Sequence, residues 1–323
     1  MAEPVDVGVV VGGASAEAHL DALREVPEAR LLAVCGDDEA AVRRLARERH
    51  AQAFPSYDAM LGCDDLDLVV VASPDSLHGE HARRAIEAGK HVWVEPPLAA
   101  TLDEALALRE AASRASRRLG VALGRRFHPR SQALRRAIAA GRIGDLALIR
   151  CRARTPAAAS GRGTAKPGLA FVGEAMHALD LLAFLADKLP VRVFGVARPE
   201  GREGASYLIS HLTLAGGAIG TIETHVVPPD MPPWEDLLVV GTKGCLRAGT
   251  DHDTRVALDA PGGRKVLGDG IPPGAGLVEA TRQMVRHVRG GPPPVPLDHS
   301  LAVLGACLAA LRSAETGQPI ALQ

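Results

Sequence analysis

The stretch VDVGVVVGGASAEAHL, residues 5–20, decides the fold class. Valine at positions 5, 7, 9, 10 and 11 makes a β-branched run that is apolar on both faces, the pattern of a strand buried in a parallel sheet. Gly12 and Gly13 then break the strand, and a segment with apolar residues at helical spacing follows. A strand, a glycine turn and a helix in that order bring backbone N–H groups and the positive end of a helix dipole to one point. The phosphates of a dinucleotide match such a point. Gly12, Gly13, Ala14 and Ser15 are therefore expected to hold a pyrophosphate. The G-x-G-x-x-G/A fingerprint is partly met: Gly13 takes the middle place and Ala16 the last, while Val11 stands where the first glycine belongs.

Working outward, ARLLAVC from Ala29, LDLVVVAS from Leu66, KHVWVE from Lys90 and LGVAL from Leu119 read as further strands. The segments between them, such as DEAAVRRLARERH and TLDEALALREAASRAS, carry apolar residues three and four apart and read as helices. This alternation implies an α/β domain with a doubly wound, Rossmann-type parallel sheet over residues 1–124. Its second strand ends AVCGDD, with Gly36 where an acid for the adenosine ribose is expected and Asp37 one place later. Two readings stay open: Asp37 serves the ribose, or the acids here merely cap the next helix through Asp38. Either carboxylate would repel a 2′-phosphate, which favours NAD over NADP. The run VWVEPPL, residues 92–98, ends a strand on an acid and two prolines, so Glu95 is presented on a rigid, non-helical turn.

After GRIGDLALIRCRAR the texture changes, and TPAAASGRGTAKPG reads as a loop. One helix, FVGEAMHALDLLAFLAD, precedes a β-rich, glycine-punctuated region from Val191, and two helices close the chain. Residues 125–323 thus read as an α+β substrate and oligomerisation domain with a large open, mainly antiparallel sheet, its last helices packing back on the first domain. The junction of two such domains is the default place for a ligand.

Lys plus Arg number 37 against 38 Asp plus Glu, a formal charge of −1 without a basic block, so nucleic acid is not an expected partner. The five cysteines are scattered, with no C-x-x-C pair, which argues against disulfides and zinc and for a reduced cytoplasm. No apolar run approaches the ~18 residues of a membrane helix, and the N-terminus lacks the pattern of a signal peptide.

The segment ASPDSLHGEHARRAIEAGKHVWVEPPLAATLDEALALREAA resembles the T-P-N-x-x-H … A-G-K-H-V-x-x-E-K-P-L region of the Gfo/Idh/MocA oxidoreductases. RRFHP at 125–129, GTKGCLRAG from Gly241 and PVPLDHSLAVLGACLAALRSAETGQPI near the end extend the resemblance over nearly the whole chain. It implies a nicotinamide-binding domain coupled to an open-sheet substrate domain, with Ser73, Pro74, His78, Glu95 and Pro96 on the cofactor side. It also implies a homodimer or homotetramer formed through the exposed face of the second sheet. Two departures stand out. Pro96 occupies the place of the E-K-P lysine, which in typical members binds substrate near the nicotinamide. Against the motif G-G-x-x-x-D-x-G-x-H-x-x-D, the run GLAFVGEAMHALD puts His177 and Asp180 on the histidine and the last aspartate, and Gly173 on the first aspartate.

His177 and Asp180, three residues apart on a helix, share a face, so the carboxylate is a candidate to orient the imidazole. Glu174 lies one turn earlier and is a candidate replacement for the missing aspartate. Lys166 in the loop is a candidate catalytic cation, and Arg126 a candidate anchor for an anionic or polyhydroxylated substrate. His78 and His81 lack a third ligand, so no metal site is expected. The expectation is a cytoplasmic, nicotinamide-dependent oxidoreductase with altered proton handling, acting on a small sugar, cyclitol or imine-type substrate. The alternatives are a catalytically degenerate binding protein, in which the cofactor is lost or serves only as a ligand, and a non-redox lyase or cyclase.

Overall fold

The computed structural model describes residues 3–13, 15–156, 169–198, 206–227, 231, 234–249, 255–268 and 274–322. The chain forms two compact units. One comprises Met1–Gly124, Gly161–Gly173 and Leu277–Leu301, the other Arg125–Ser160, Glu174–Gly276 and Ala302–Gln323.

In the first unit β1 (Val5–Val11), α1 (Ala16–Arg24), β2 (Ala29–Cys35), α2 (Glu39–Glu48), β3 (Gln52–Ala53), α3 (Tyr57–Leu61) and β4 (Leu68–Ala72) lead into α4 (His78–Glu87), β5 (His91–Val94), α5 (Leu102–Arg114) and β6 (Leu119–Val121). The strands make one parallel sheet in the order β3-β2-β1-β4-β5-β6. β1 and β4 are buried along their whole length, as an apolar run covered on both faces must be. Side-chain caps start the helices that leave the sheet: Asp38 accepts from Ala41 N, Ser56 from Ala59 N and Thr101 from Glu104 N. Each such cap contributes about 1 kcal/mol. Strand order reverses between β1 and β4, and it is there, beyond the carboxyl ends of the strands, that a parallel α/β sheet opens a crevice.

The second unit is built on α6 (Pro129–Ala139), β7 (Leu146–Pro156), α7 (Leu169–Ala186), β8 (Pro190–Arg198), β9 (Ser206–Leu214), β10 (Ile219–Val227), β11 (Trp234–Gly241), β12 (Cys245–Gly249), β13 (Val256–Ala260) and β14 (Gly263–Gly268). The chain ends with α8 (Ala275–Val288), α9 (Leu297–Thr316) and β15 (Ile320–Ala321). The nine strands run β14-β13-β12-β11-β7-β10-β9-β8-β15, antiparallel throughout except where β7 meets β10. β7 has no counterpart among the strands read from the sequence, yet it is the central one. Ile149, Cys151 and Ala153 are buried on one face, while Arg150 and Arg152 on the other reach Asp236 at 3.2 and 2.7 Å. Among the described residues no helix is long and apolar enough to cross a membrane.

Candidate functional site

The turn after β1 is shaped by close backbone approach. Gly13 N donates to Ala72 O at 2.8 Å, and a Cβ on Gly13 would lie 2.7 Å from Ser73 O, so a larger residue has no room. A Cβ on Gly36 would likewise lie 2.7 Å from Val11 O. The end of β2 therefore cannot carry its acid at position 36, and the acid comes one residue later. Ser15 is the N-cap of α1 and makes no side-chain bond to that helix's first turn, where Ala16 N donates to Gly13 O at 3.4 Å. Gly12 precedes this approach, and Ala14 lies outside the described residues.

Beside the turn is a cavity of about 290 Å³, lined by Val11, Gly36, Asp37, Tyr57, Pro74 and His81 among others, with no lysine or arginine among the described residues of its wall. Asp38 is engaged as the cap of α2 at 3.0 Å, so of the two adjacent acids Asp37 is the one on the cavity. His81 Nδ1 is 2.8 Å from Ser73 Oγ, its ring packs on Tyr57 at 4.6 Å, and burial pulls its pKa down, so it is a neutral wall of the cavity. Burial pushes the Cys35 thiol up to about 12, which makes it an inert part of that wall.

The loop after β4 is tied to the turn after β5 by one buried ring. His78, 1% exposed, lies 2.8 Å through Nδ1 from Pro97 O and 2.8 Å through Nε2 from Ser73 O. Glu95 meets the buried ring of His19 at 2.5 Å. The Pro96–Pro97 bond is cis. Both prolines are buried, and Gly173, at the start of α7, packs against them: a Cβ there would lie 2.8 Å from Pro96 O and 3.2 Å from Pro97 Cδ. Asp75, also in the loop after β4, has its carboxyl pushed up to about 6 by burial, with His78 pulling down and Glu95 pushing up.

In the second unit the candidate residues meet arginines. Glu174 pairs with Arg125 at 2.5 Å. Burial penalises its carboxylate, but Arg125 and His177 outweigh that and hold the carboxyl below its ordinary range, so Glu174 is an anion at neutral pH. His177 is half-buried on the same helix. Asp180, wholly buried, takes the guanidinium of Arg126 through both oxygens, and that guanidinium also lies 5.3 Å from the Phe184 ring. Arg126, just ahead of α6, is thus held by a carboxylate of α7 inside this unit. Arg130 pairs with Glu235 at 2.6 Å. Lys166 lies outside the described residues. Among the described residues no group of three potential ligands gathers for a metal.

Sequence reasoning passed over His19, Tyr57, Asp75 and Arg125. Only two carried a usable signal: Arg125 adjoins Arg126 in RRFHP, and Asp75 fills the asparagine place of T-P-N-x-x-H. His19 and Tyr57 are brought in by α1 and α3 and carry no motif.

The glycine cradle, the first turn of α1 without a side-chain cap and the cavity with its acid fit a dinucleotide with a free ribose, which Gly12, Gly13 and Ser15 would meet at the phosphates and Asp37 at the ribose. The comparisons agree. Residues 5–123 match the model of an oxidoreductase family with an NAD-binding Rossmann fold, and residues 131–247 match the GFO/IDH/MocA C-terminal domain. Inositol 2-dehydrogenase 1 of Saccharopolyspora erythraea is 36% identical over 194 residues, 58% of this chain and 56% of that one. The inositol 2-dehydrogenase of Rubrobacter xylanophilus is 29% identical over 235 residues, 70% and 66%. The chain therefore spans between about half and two thirds of the length of these relatives. Two solved structures share the fold at a TM-score of 0.82 each. The oxidoreductase domain protein from Kribbella flavida is 23% identical with both chains covered in full, and GenD2 from gentamicin A biosynthesis, solved in complex with NAD, is 24% identical over 100% and 97% of the two chains. With both domains matched in sequence order, the chain belongs to the Gfo/Idh/MocA family of NAD-binding oxidoreductases.

Proposed function

We propose that this protein reduces a small polar substrate of the imine or iminium class with NADH, and that it does so without the lysine and aspartate that the resemblance implies. The observation that carries this reading is that Pro96 is buried and Gly173 packs on its carbonyl and on the Pro97 ring, so neither position presents a proton-donating side chain. A ketone needs a proton as hydride arrives, and losing a positioned acid costs roughly 10²–10⁴-fold in rate. An iminium carries its proton beforehand. Hydride adds to carbon, the C=N π electrons become the nitrogen lone pair, and a neutral amine leaves without help from an acid. Sugars and cyclitols are the second substrate class, supported by the inositol dehydrogenases among the relatives.

The protein is expected in the cytoplasm as a homodimer or homotetramer. Exposed Val196, Tyr207 and Ile219 on β8, β9 and β10 support the oligomer, and light scattering checks it. NADH consumption with a panel of cyclic imines, ketoses and ketocyclitols tests the reaction. Turnover of an imine at least tenfold faster than any ketone is expected, and a preference for ketones overturns it. NADH that binds but reduces nothing on the panel returns the degenerate binding protein.

A further inference from the structure

We infer that the Asp75 carboxylate faces the nicotinamide end of the bound dinucleotide and by its charge makes the site favour the oxidised cofactor over the reduced one. This rests on the reading that NAD lies across the first sheet. The cavity beside β2 takes the adenosine half and the glycine turn takes the pyrophosphate at the point where strand order reverses. The remaining half then falls over the carboxyl ends of β4 and β5, the general outcome for a doubly wound sheet.

Asp75 stands in the loop after β4. Its neighbours Pro74 and Leu77 line the adenosine cavity, whereas Asp75 does not, and its electrostatic partners are His78 and Glu95 on the β5 side. The charged groups around it come from three elements: His78 from α4, Glu95 from the turn after β5, and His19 from α1 behind Glu95. The other members are committed. Both ring nitrogens of His78 lie 2.8 Å from carbonyl oxygens, those of Pro97 and Ser73, and Glu95 is held by His19. Asp75 is in no ion pair among the described residues. It also replaces a neutral amide, since the motif that SPDSLH resembles has asparagine there.

The nicotinamide ring is a cation when oxidised and neutral when reduced, so a nearby carboxylate holds only the oxidised form more tightly. Burial and Glu95 have moved the Asp75 carboxyl up to about 6, so this preference switches on as pH rises through that value. Tighter binding of the oxidised form makes the bound reduced cofactor a better hydride donor by the same factor, the direction that suits a reductase without a general acid.

Calorimetric titration of the whole protein with NAD⁺ and with NADH between pH 5 and 8 tests this. NAD⁺ affinity is expected to rise about tenfold over that range while NADH changes by less than about twofold. Asp75→Asn flattens the NAD⁺ curve, and Asp75→Glu, which keeps the charge, retains its slope. Parallel curves for the two cofactors in the native protein, or an unchanged NAD⁺ slope in Asp75→Asn, overturn the inference. Failure of both cofactors to bind is a different result, and removes the NAD reading together with this one.

Discussion

Gly173 stands on the carbonyl of Pro96, so that a Cβ at position 173 would lie 2.8 Å from that oxygen. The two places where the family resemblance puts a lysine and an aspartate are therefore in contact. The turn that carries Pro96 fills the space a side chain at 173 would need. The contact runs through the backbone carbonyl of residue 96 and the ring of Pro97, so it holds position 173 to glycine whichever residue stands at 96.

Gly173→Ala is accordingly expected to destabilise the protein by about 1–3 kcal/mol, because the neighbour in the way is backbone. Urea denaturation checks this, and a neutral substitution would show that the turn yields. Restoring Pro96→Lys with Gly173→Asp is expected to produce no polyol dehydrogenase, since the second side chain has nowhere to go. Reduction of NAD⁺ by the double variant with a cyclitol would show instead that the turn gives way to the second side chain.

Asp37 is expected to set the cofactor preference. It is the acid on a cavity with no lysine or arginine among the described residues of its wall, so NADH is expected to bind at least about tenfold more tightly than NADPH. Asp37→Ser narrows that ratio in fluorescence titrations, and equal affinities in the native protein would remove Asp37 from this role.

The Asp180 carboxylate is wholly buried against Arg126. Asp180→Ala leaves a buried guanidinium without that partner and is expected to cost about 3–5 kcal/mol in chemical denaturation. A loss below about 1 kcal/mol would mean that water reaches the guanidinium freely.

Glu174 makes the acid limb of stability pH-dependent. Its folded carboxyl is held below the ordinary value of 4.5, so its contribution is fully present above that value and is lost as pH falls through the lower folded one. Thermal midpoints measured from pH 7 down to about 3 should fall on that limb, and Glu174→Gln should make the fall shallower. An identical slope in the variant would place the acid sensitivity elsewhere.

The first sheet was legible because buried parallel strands leave continuous apolar runs, as β1 and β4 do, and because Asp38 marks the start of α2; the two-residue β3 and the short α3 leave no such run and were not read. β7 was harder to see. Its buried face is only Ile149, Cys151 and Ala153, alternating with arginines that look like solvated charge until Asp236 and Trp234 are placed beside them. The motif residues of the site were visible by resemblance, but their pairings were not. That Arg126 belongs to Asp180, that Glu174 belongs to Arg125 and that His78 bridges Ser73 and Pro97 all depend on contacts the chain makes across five to fifty-four residues. Local spacing carries no trace of them.

The central claim is that the glycine turn and the Asp37 cavity hold NAD for hydride transfer. Titration of the protein with NADH by calorimetry tests it most directly. Saturable binding with a Kd below millimolar is predicted, weakened by Gly13→Ala, whose Cβ would meet the Ser73 carbonyl. No binding of NADH or NADPH below millimolar would contradict it.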